Sequence, residues 1–113
     1  MNEADKKFEV VYSEDAVNDM KKLDRSVRQR VADGIEKASF NPYPKDQGGY
    51  GKRLGNKRGV NLAGLLEIKF RGMGIRAVYE LVIKEKAMEI IVVSVREDEI
   101  VFKEAFKRMQ RKK

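Results

Sequence analysis

Apolar residues recur at two different periods along this chain, and the switches between them mark its elements. Phe8 to Tyr12 is a short β-rich run that predicts a first strand. Ser13 then opens S-E-D-A, a hydroxyl N-cap followed by carboxylates that complement a helix dipole. Ala16, Val17, Met20 and Leu23 follow at helical spacing, Asp24-Arg25-Ser26 interrupts, and Val27, Val31, Ile35 and Ala38 resume it. That pattern predicts a helical hairpin with one apolar stripe per helix, ended by Asn41-Pro42-Tyr43-Pro44. From Leu65 the period becomes two: Leu66, Ile68 and Phe70 alternate with Glu67, Lys69 and Arg71. Arg71-Gly72-Met73-Gly74 is a turn, and Ile75, Ala77, Tyr79 and Leu81 share one face of the returning strand. Met88 to Val95 is almost continuously apolar, as in a strand covered on both faces. Val101, Phe102, Ala105, Phe106 and Met109 then give a last helix its apolar stripe. The predicted order is β-α-α-β-β-β-α, a single α+β domain over residues 1–113.

Two stretches fall outside this pattern. Residues 1–7 are polar and expected to fray. Lys45 to Leu62 carries five glycines and little periodicity, which predicts a mobile basic loop. Tyr43 and Tyr50 in or beside that loop serve equally well for loop packing or for stacking on exposed bases.

Charge changes the picture more than composition does. Hydrophobic residues make up 42% of the 113 positions, which is ordinary, but 38% are charged and the net charge is +7. Lys45 to Arg76 holds eight Lys/Arg against Asp46 and Glu67, a balance of +6, and Lys103 to Lys113 holds six against Glu104, a balance of +5. The remaining residues therefore sum to −4. A basic middle and tail on a mildly acidic frame point to a polyanionic partner, most simply nucleic acid. The basic tail alone fits either an RNA contact or a solubilised helix end.

Cysteine and histidine are both absent. Disulfides, thiolate nucleophiles and the commonest transition-metal ligands are thereby excluded, and any acid–base chemistry falls to Lys, Arg, Tyr or carboxylates. The N-terminus has no apolar signal stretch, and no run is long enough to cross a membrane, so a cytoplasmic protein is expected. Chemistry concentrates on the hairpin, whose alternation can place Lys69, Arg71 and Arg76 together on one face. Three cations so placed repel each other unless an anion sits among them, which suggests a phosphate site. The plainer reading of the same residues is a solvated face with ion pairs to Glu67 and Glu80.

Three segments carry a family resemblance. LAGLLEIKFRGMGIRAVYEL (62–81), IIVVSVREDEIVFKEAFKRM (90–109) and DAVNDMKKLDRSVRQRV (15–31) followed by NPYP, joined to the order β-α-α-β-β-β-α, resemble the RelE/ParE toxin superfamily and its RelE branch in particular. The resemblance covers nearly the whole chain and rests on collinear weak motifs rather than one signature. It implies an antiparallel sheet packed against a helical hairpin and a C-terminal helix. It also implies the toxin of a type II toxin–antitoxin system, a ribosome-dependent endoribonuclease that cuts mRNA in the A site. The implied reaction is a transesterification by the ribose 2′-OH, with no metal and no cofactor, and the implied partners are a cognate antitoxin, the ribosome and mRNA.

Carried over by position, Lys69 matches the second lysine of the family's K-x-K strand and is the candidate base, its pKa lowered by Arg71 and Arg76. Arg76 and Arg96 match arginines that hold the scissile phosphate, and Arg71 is a further phosphate contact. Lys52, Arg53, Lys57 and Arg58 of the basic loop are candidate RNA contacts. Two positions depart from the pattern: Glu67 replaces the first lysine, and Phe102 stands where a tyrosine often serves the leaving group. Glu67 is left as a carboxylate base or an ion-pair partner of Lys69 or Arg71. Phe102 can stack on a base or pack in the core, but it cannot donate a proton. Two other classes stay open: a ParE-like, non-nucleolytic gyrase inhibitor, and a catalytically weakened homologue that binds RNA or a partner.

Overall fold

The computed structural model describes residues 7–57, 59–95 and 98–112, apart from the side chains of Lys57 and Asp98. Its elements are β1 (Glu9–Tyr12), α1 (Glu14–Lys21), α2 (Arg25–Ala38), β2 (Lys52–Lys57), β3 (Val60–Phe70), β4 (Ile75–Val82), β5 (Ala87–Ser94) and α3 (Asp98–Lys112). One-turn 3₁₀ helices occupy Lys45–Gln47 and Ile83–Glu85. The five strands form one sheet in the order β1-β5-β4-β3-β2.

That sheet is mixed rather than purely antiparallel, because β1 pairs with β5 in parallel. The reason is parity. Two helices carry the chain away from the end of β1 and back again, so β2 runs opposite to β1. Three hairpin reversals later, β5 runs in the same direction as β1 and pairs beside it.

The expected loop over 45–62 is the second correction. Its middle is β2, paired antiparallel with β3, and β3 itself begins at Val60. An edge strand gains its stability from backbone pairing, and among the described side chains of KRLGNK only Leu54 is buried, so no apolar alternation announced it. Gly51 permits a close approach rather than mobility: a Cβ there would lie 2.1 Å from the Tyr79 hydroxyl oxygen and 2.7 Å from Leu66 Cδ2. The preceding turn is also tied down, with Tyr50 N donating to Asn41 O, Gly51 N to Tyr43 O and Lys45 N to Gly51 O at 2.8–3.1 Å. Residues 1–6 lie outside the described residues, while Lys7 pairs with Glu36 at 2.8 Å.

Two cores lie on opposite faces of the sheet. Against α1 and α2 pack Phe8, Met20, Val31, Ile35, Leu66, Ala77, Tyr79, Met88 and Ile90, with Ile68 and Phe70 beside them. Against α3 pack Leu54, Leu62, Leu65, Val78, Ile91, Val92, Val101, Phe102 and Ala105. The alternation of β3 and β4 thus falls as the sequence predicts. A register irregularity at Val78/Tyr79 lets Ile91 and Val92, neighbours in the chain, both face α3. The tight turn after β3 rests on Gly72 and Gly74, both at positive φ.

The helices are closed by specific polar contacts. Ser13 Oγ accepts from Ala16 N at 3.1 Å and caps α1, as expected. Arg28 of α2 donates to the carbonyls of Met20 and Leu23, satisfying the C-terminal end of α1. At the far end, Arg108 of α3 reaches Asp19 of α1 with two hydrogen bonds (2.7 and 3.1 Å), Ile91 O at 2.8 Å and Glu104 at 2.7 Å. Asp19 also accepts from Val93 N at 2.9 Å. Burial works against the Arg108 charge, but these carboxylates hold its pKa above the ordinary arginine value. Arg111 pairs with Asp15, and Lys112 with Glu80 and Glu89. Three cations of the basic tail therefore dock α3 rather than merely solubilise it. No described helix is long and apolar enough to cross a membrane.

Removing Asp19 would leave a mostly buried guanidinium and a buried N–H without their acceptor. We expect Asp19→Ala to lower stability by about 3–5 kcal/mol in urea unfolding; a loss of a few tenths would mean that the clamp does not hold α3.

Candidate active site

The alternation of β3 sends Leu66, Ile68 and Phe70 toward the helical hairpin, so Glu67 and Lys69 emerge on the α3 side of the sheet. Register then fixes their neighbours. Lys69 stands directly opposite Arg76 on β4, and Glu67 lies between Val78 on β4 and Lys52 on β2. Strand pairing, not loop conformation, brings these four charged side chains together.

Glu67 is the floor of the group. Its side chain is 1% exposed, with Oε1 3.5 Å from Arg76 Nη1 and 3.8 Å from Lys69 Nζ. Its other oxygen, Oε2, is buried with no hydrogen-bond donor among the described residues. A carboxylate so enclosed cannot reach a substrate hydroxyl, so Glu67 is not the catalytic base. It is an ion-pair partner, and its partners are Lys69 and Arg76 rather than Arg71. Both separations are longer than a charge-assisted hydrogen bond.

Lys69 is the group set apart electrostatically. Its pKa lies below the ordinary lysine value, first because its amine comes within hydrogen-bonding reach of Lys52. Two ammonium groups cannot share a hydrogen bond unless one gives up its proton. Desolvation and the charges of Lys52 and Arg76 push the same way, while Glu67 opposes them. The expected direction holds, but the main cause is Lys52 of the neighbouring strand, a position that looked like loop.

The remaining candidates fall in different places. Arg71 is exposed just past the end of β3, within reach of the same edge of the sheet. Arg53 is exposed and held by Asp46 at 2.9 Å. Lys57 lies in β2, and Arg58 and Arg96 lie outside the described residues. Phe102 is 5% exposed in the core beneath α3, so it packs and does not present a ring to RNA. Tyr79 is buried in the opposite core, donates to Pro42 O at 2.8 Å and has its pKa pushed up by burial. It is a core residue, as its face predicted.

Sequence reasoning missed a cleft of about 540 Å³ at the open edge of β3, where Lys37, Lys45, Tyr50 and Lys52 join Lys69 and Arg71. The available signal was the length of β3, because an eleven-residue strand implies a partner running back along the basic segment before it.

The geometry can now be set beside known proteins. No protein-family model matches the sequence. A curated RelE-like toxin of Escherichia coli is 27% identical over 104 residues, covering 92% of this chain and 99% of the relative. Among solved structures, a mutant of the E. coli toxin RelE in its free state superposes with a TM-score of 0.71 at 24% identity, over 91% of this chain and 98% of that one. A toxin–antitoxin complex from Mycobacterium tuberculosis contains a chain that superposes with a TM-score of 0.64 at 22% identity, over 81% and 94% of the two chains.

The electrostatic account predicts shifts of opposite sign. Lys52→Ala should raise the Lys69 pKa and Glu67→Gln should lower it further. The pH dependence of Lys69 acylation, followed by mass spectrometry, measures both; shifts of the same sign would refute the account. The sheet order, the paired helices and α3 give this protein the fold of RelE, and a sequence match that spans almost the full length of both chains makes it similar to a RelE-like toxin.

Proposed function

We propose that this RelE-like protein is the toxin of a type II toxin–antitoxin pair and that it blocks translation by cutting mRNA in the ribosomal A site. The observation that carries this reading is Lys69 opposite Arg76 above a buried Glu67, with the Lys69 pKa lowered by Lys52. A base must be partly unprotonated at working pH, and crowding by other cations together with desolvation moves a lysine in that direction.

The chemistry follows from that placement. Neutral Lys69 takes the proton of a ribose 2′-OH as its oxygen attacks the adjacent phosphorus. Arg76, with Arg71, holds the non-bridging oxygens as negative charge grows on the pentavalent phosphorane. The bond to the 5′-oxygen breaks, that oxygen takes a proton from water, and a 2′,3′-cyclic phosphate remains. Arg96, next in the chain after the segment that follows β5, is assigned a second contact to the phosphate on the resemblance alone. Glu67 touches no substrate in this scheme and acts as a positioning residue for Lys69 and Arg76. Phe102 supplies no proton, which leaves the leaving-group step less assisted than a tyrosine would make it.

The antitoxin is proposed on the same footing. Solved relatives include the E. coli RelBE toxin–antitoxin complex and RelE with an antitoxin RelB peptide. An acidic segment of a cognate antitoxin would cover this basic face and silence it. The protein would act in the cytoplasm, where translating ribosomes are.

Primer extension on a defined mRNA, with and without ribosomes holding an empty A site, tests the proposal. Cuts are expected with ribosomes, and Lys69→Ala and Arg76→Ala should each slow them about 10²–10⁴-fold while the protein stays folded. The absence of cuts under both conditions would refute the nuclease and favour a gyrase-directed or binding role.

A further inference from the structure

The cleft at the edge of β3 borders the reacting centre through Lys69 and Arg71, while Lys37, Lys45 and Tyr50 of its lining take no part in the reaction just described, and it has the features of a binding site. β2 begins at Lys52 opposite Glu67, while the residues before it turn away to bridge Pro44 with Gly51. Among the described residues, Ile68–Phe70 therefore have no strand on that side, and the space is left open. Its volume, about 540 Å³, lies within the roughly 300–1,000 Å³ of small-molecule sites. Gly34 of α2 sits in its wall against Phe70, where a Cβ would come within 2.4 Å of the ring.

The chemistry of the lining is one-sided. Lys37, Lys45, Lys52, Lys69 and Arg71 face the cleft with Glu67 as its sole carboxylate, and Glu67 already faces Lys69 and Arg76. Two aromatic rings line the cleft, and while Phe70 packs against the core, Tyr50 stands exposed among these cations. Tyr50 is 46% exposed, unlike Tyr43, whose ring packs edge-on against Phe8 at 5.4 Å. The turn carrying Tyr50 is pinned by hydrogen bonds to Asn41, Tyr43 and Pro44, so the ring is presented by an ordered backbone. Cations for a phosphate beside a free aromatic face are what a single-stranded nucleotide needs. An acidic peptide would use the charges but not the ring.

We propose that this cleft is a nucleotide subsite for single-stranded RNA: Lys37 and Lys45 each meet a backbone phosphate and Tyr50 stacks on a base. Lys69 borders both the cleft and the reacting centre, so the occupant is the nucleotide next to the scissile bond. That last step rests on the proposed function, whereas the binding site itself does not.

Fluorescence anisotropy with a short 2′-O-methyl RNA tests it, because a strand without a 2′-nucleophile reports binding whether or not the protein cuts RNA. Tyr50→Ala should weaken binding about 5- to 150-fold, and Tyr50→Phe should retain it. Lys37→Ala with Lys45→Ala should flatten the log–log salt dependence by about 1.4 if each lysine meets one phosphate. Lys84→Ala, at the opposite end of the strands, should change little. The proposal is overturned if the wild-type protein does not bind the strand, or if Tyr50→Ala binds as the wild type does. It is also overturned if an acidic peptide binds with the Tyr50 dependence that the RNA lacks, which would assign the cleft to a protein partner.

Discussion

A carboxylate buried in the face of a sheet is the constraint on which this site depends. Removing an ionised glutamate from water costs several kcal/mol unless cations compensate it. At Glu67 the compensation comes from its own strand and the next, through Lys69 of β3 and Arg76 of β4. Without the anion beneath them, those cations and Lys52 would repel each other at cross-strand distance. At 3.5 and 3.8 Å, Arg76 and Lys69 share the one carboxylate oxygen between them.

The rest of the fold makes that burial possible. Val78, directly across from Glu67, belongs to the core that α3 covers with Val101, Phe102 and Ala105. The far end of α3 is fixed to α1 and β5 by Asp19 and Arg108. A clamp on one side of the molecule thus holds the helix that dries the sheet near the charged cluster on the other. Phe102 contributes here by packing.

How legible this was depended on whether an element announces itself through apolar periodicity. Leu66, Ile68 and Phe70 alternate cleanly, so the faces of β3 and β4, and with them the pairing of Lys69 and Arg76, could be derived from sequence. An edge strand such as β2, with Leu54 as the one buried residue among those described, is specified by backbone pairing and leaves no such trace. Glycine added to the difficulty. At Gly51 it marks backbone packed against Tyr79 and Leu66, which in a sequence cannot be told from flexibility. The missed strand hid Lys52, and the missed turn hid the contrast between Tyr43 and Tyr50. The tail posed the same problem, since its lysines and arginines carry no sign of the carboxylates of α1, β4 and β5 that they meet.

On the proposed reading, a glutamate at position 67 in place of a lysine looks, along one strand, like the loss of a catalytic cation. Across strands it does not. Lys52 stands directly opposite Glu67 and is the largest influence lowering the Lys69 pKa, while Glu67 itself acts in the other direction. The like charge that a base at Lys69 requires is therefore supplied from β2, and the carboxylate at 67 takes the role of holding the cluster together. A strand motif such as K-x-K records only neighbours two residues apart, whereas a sheet face is two-dimensional and accepts the same charge from the adjacent strand. On the proposed reading, the departure at 67 moves a lysine from one strand to the next. The departure at 102 has no such counterpart, because the phenyl ring lies inside the core, and assistance to the leaving oxygen is where this site differs from one with a tyrosine.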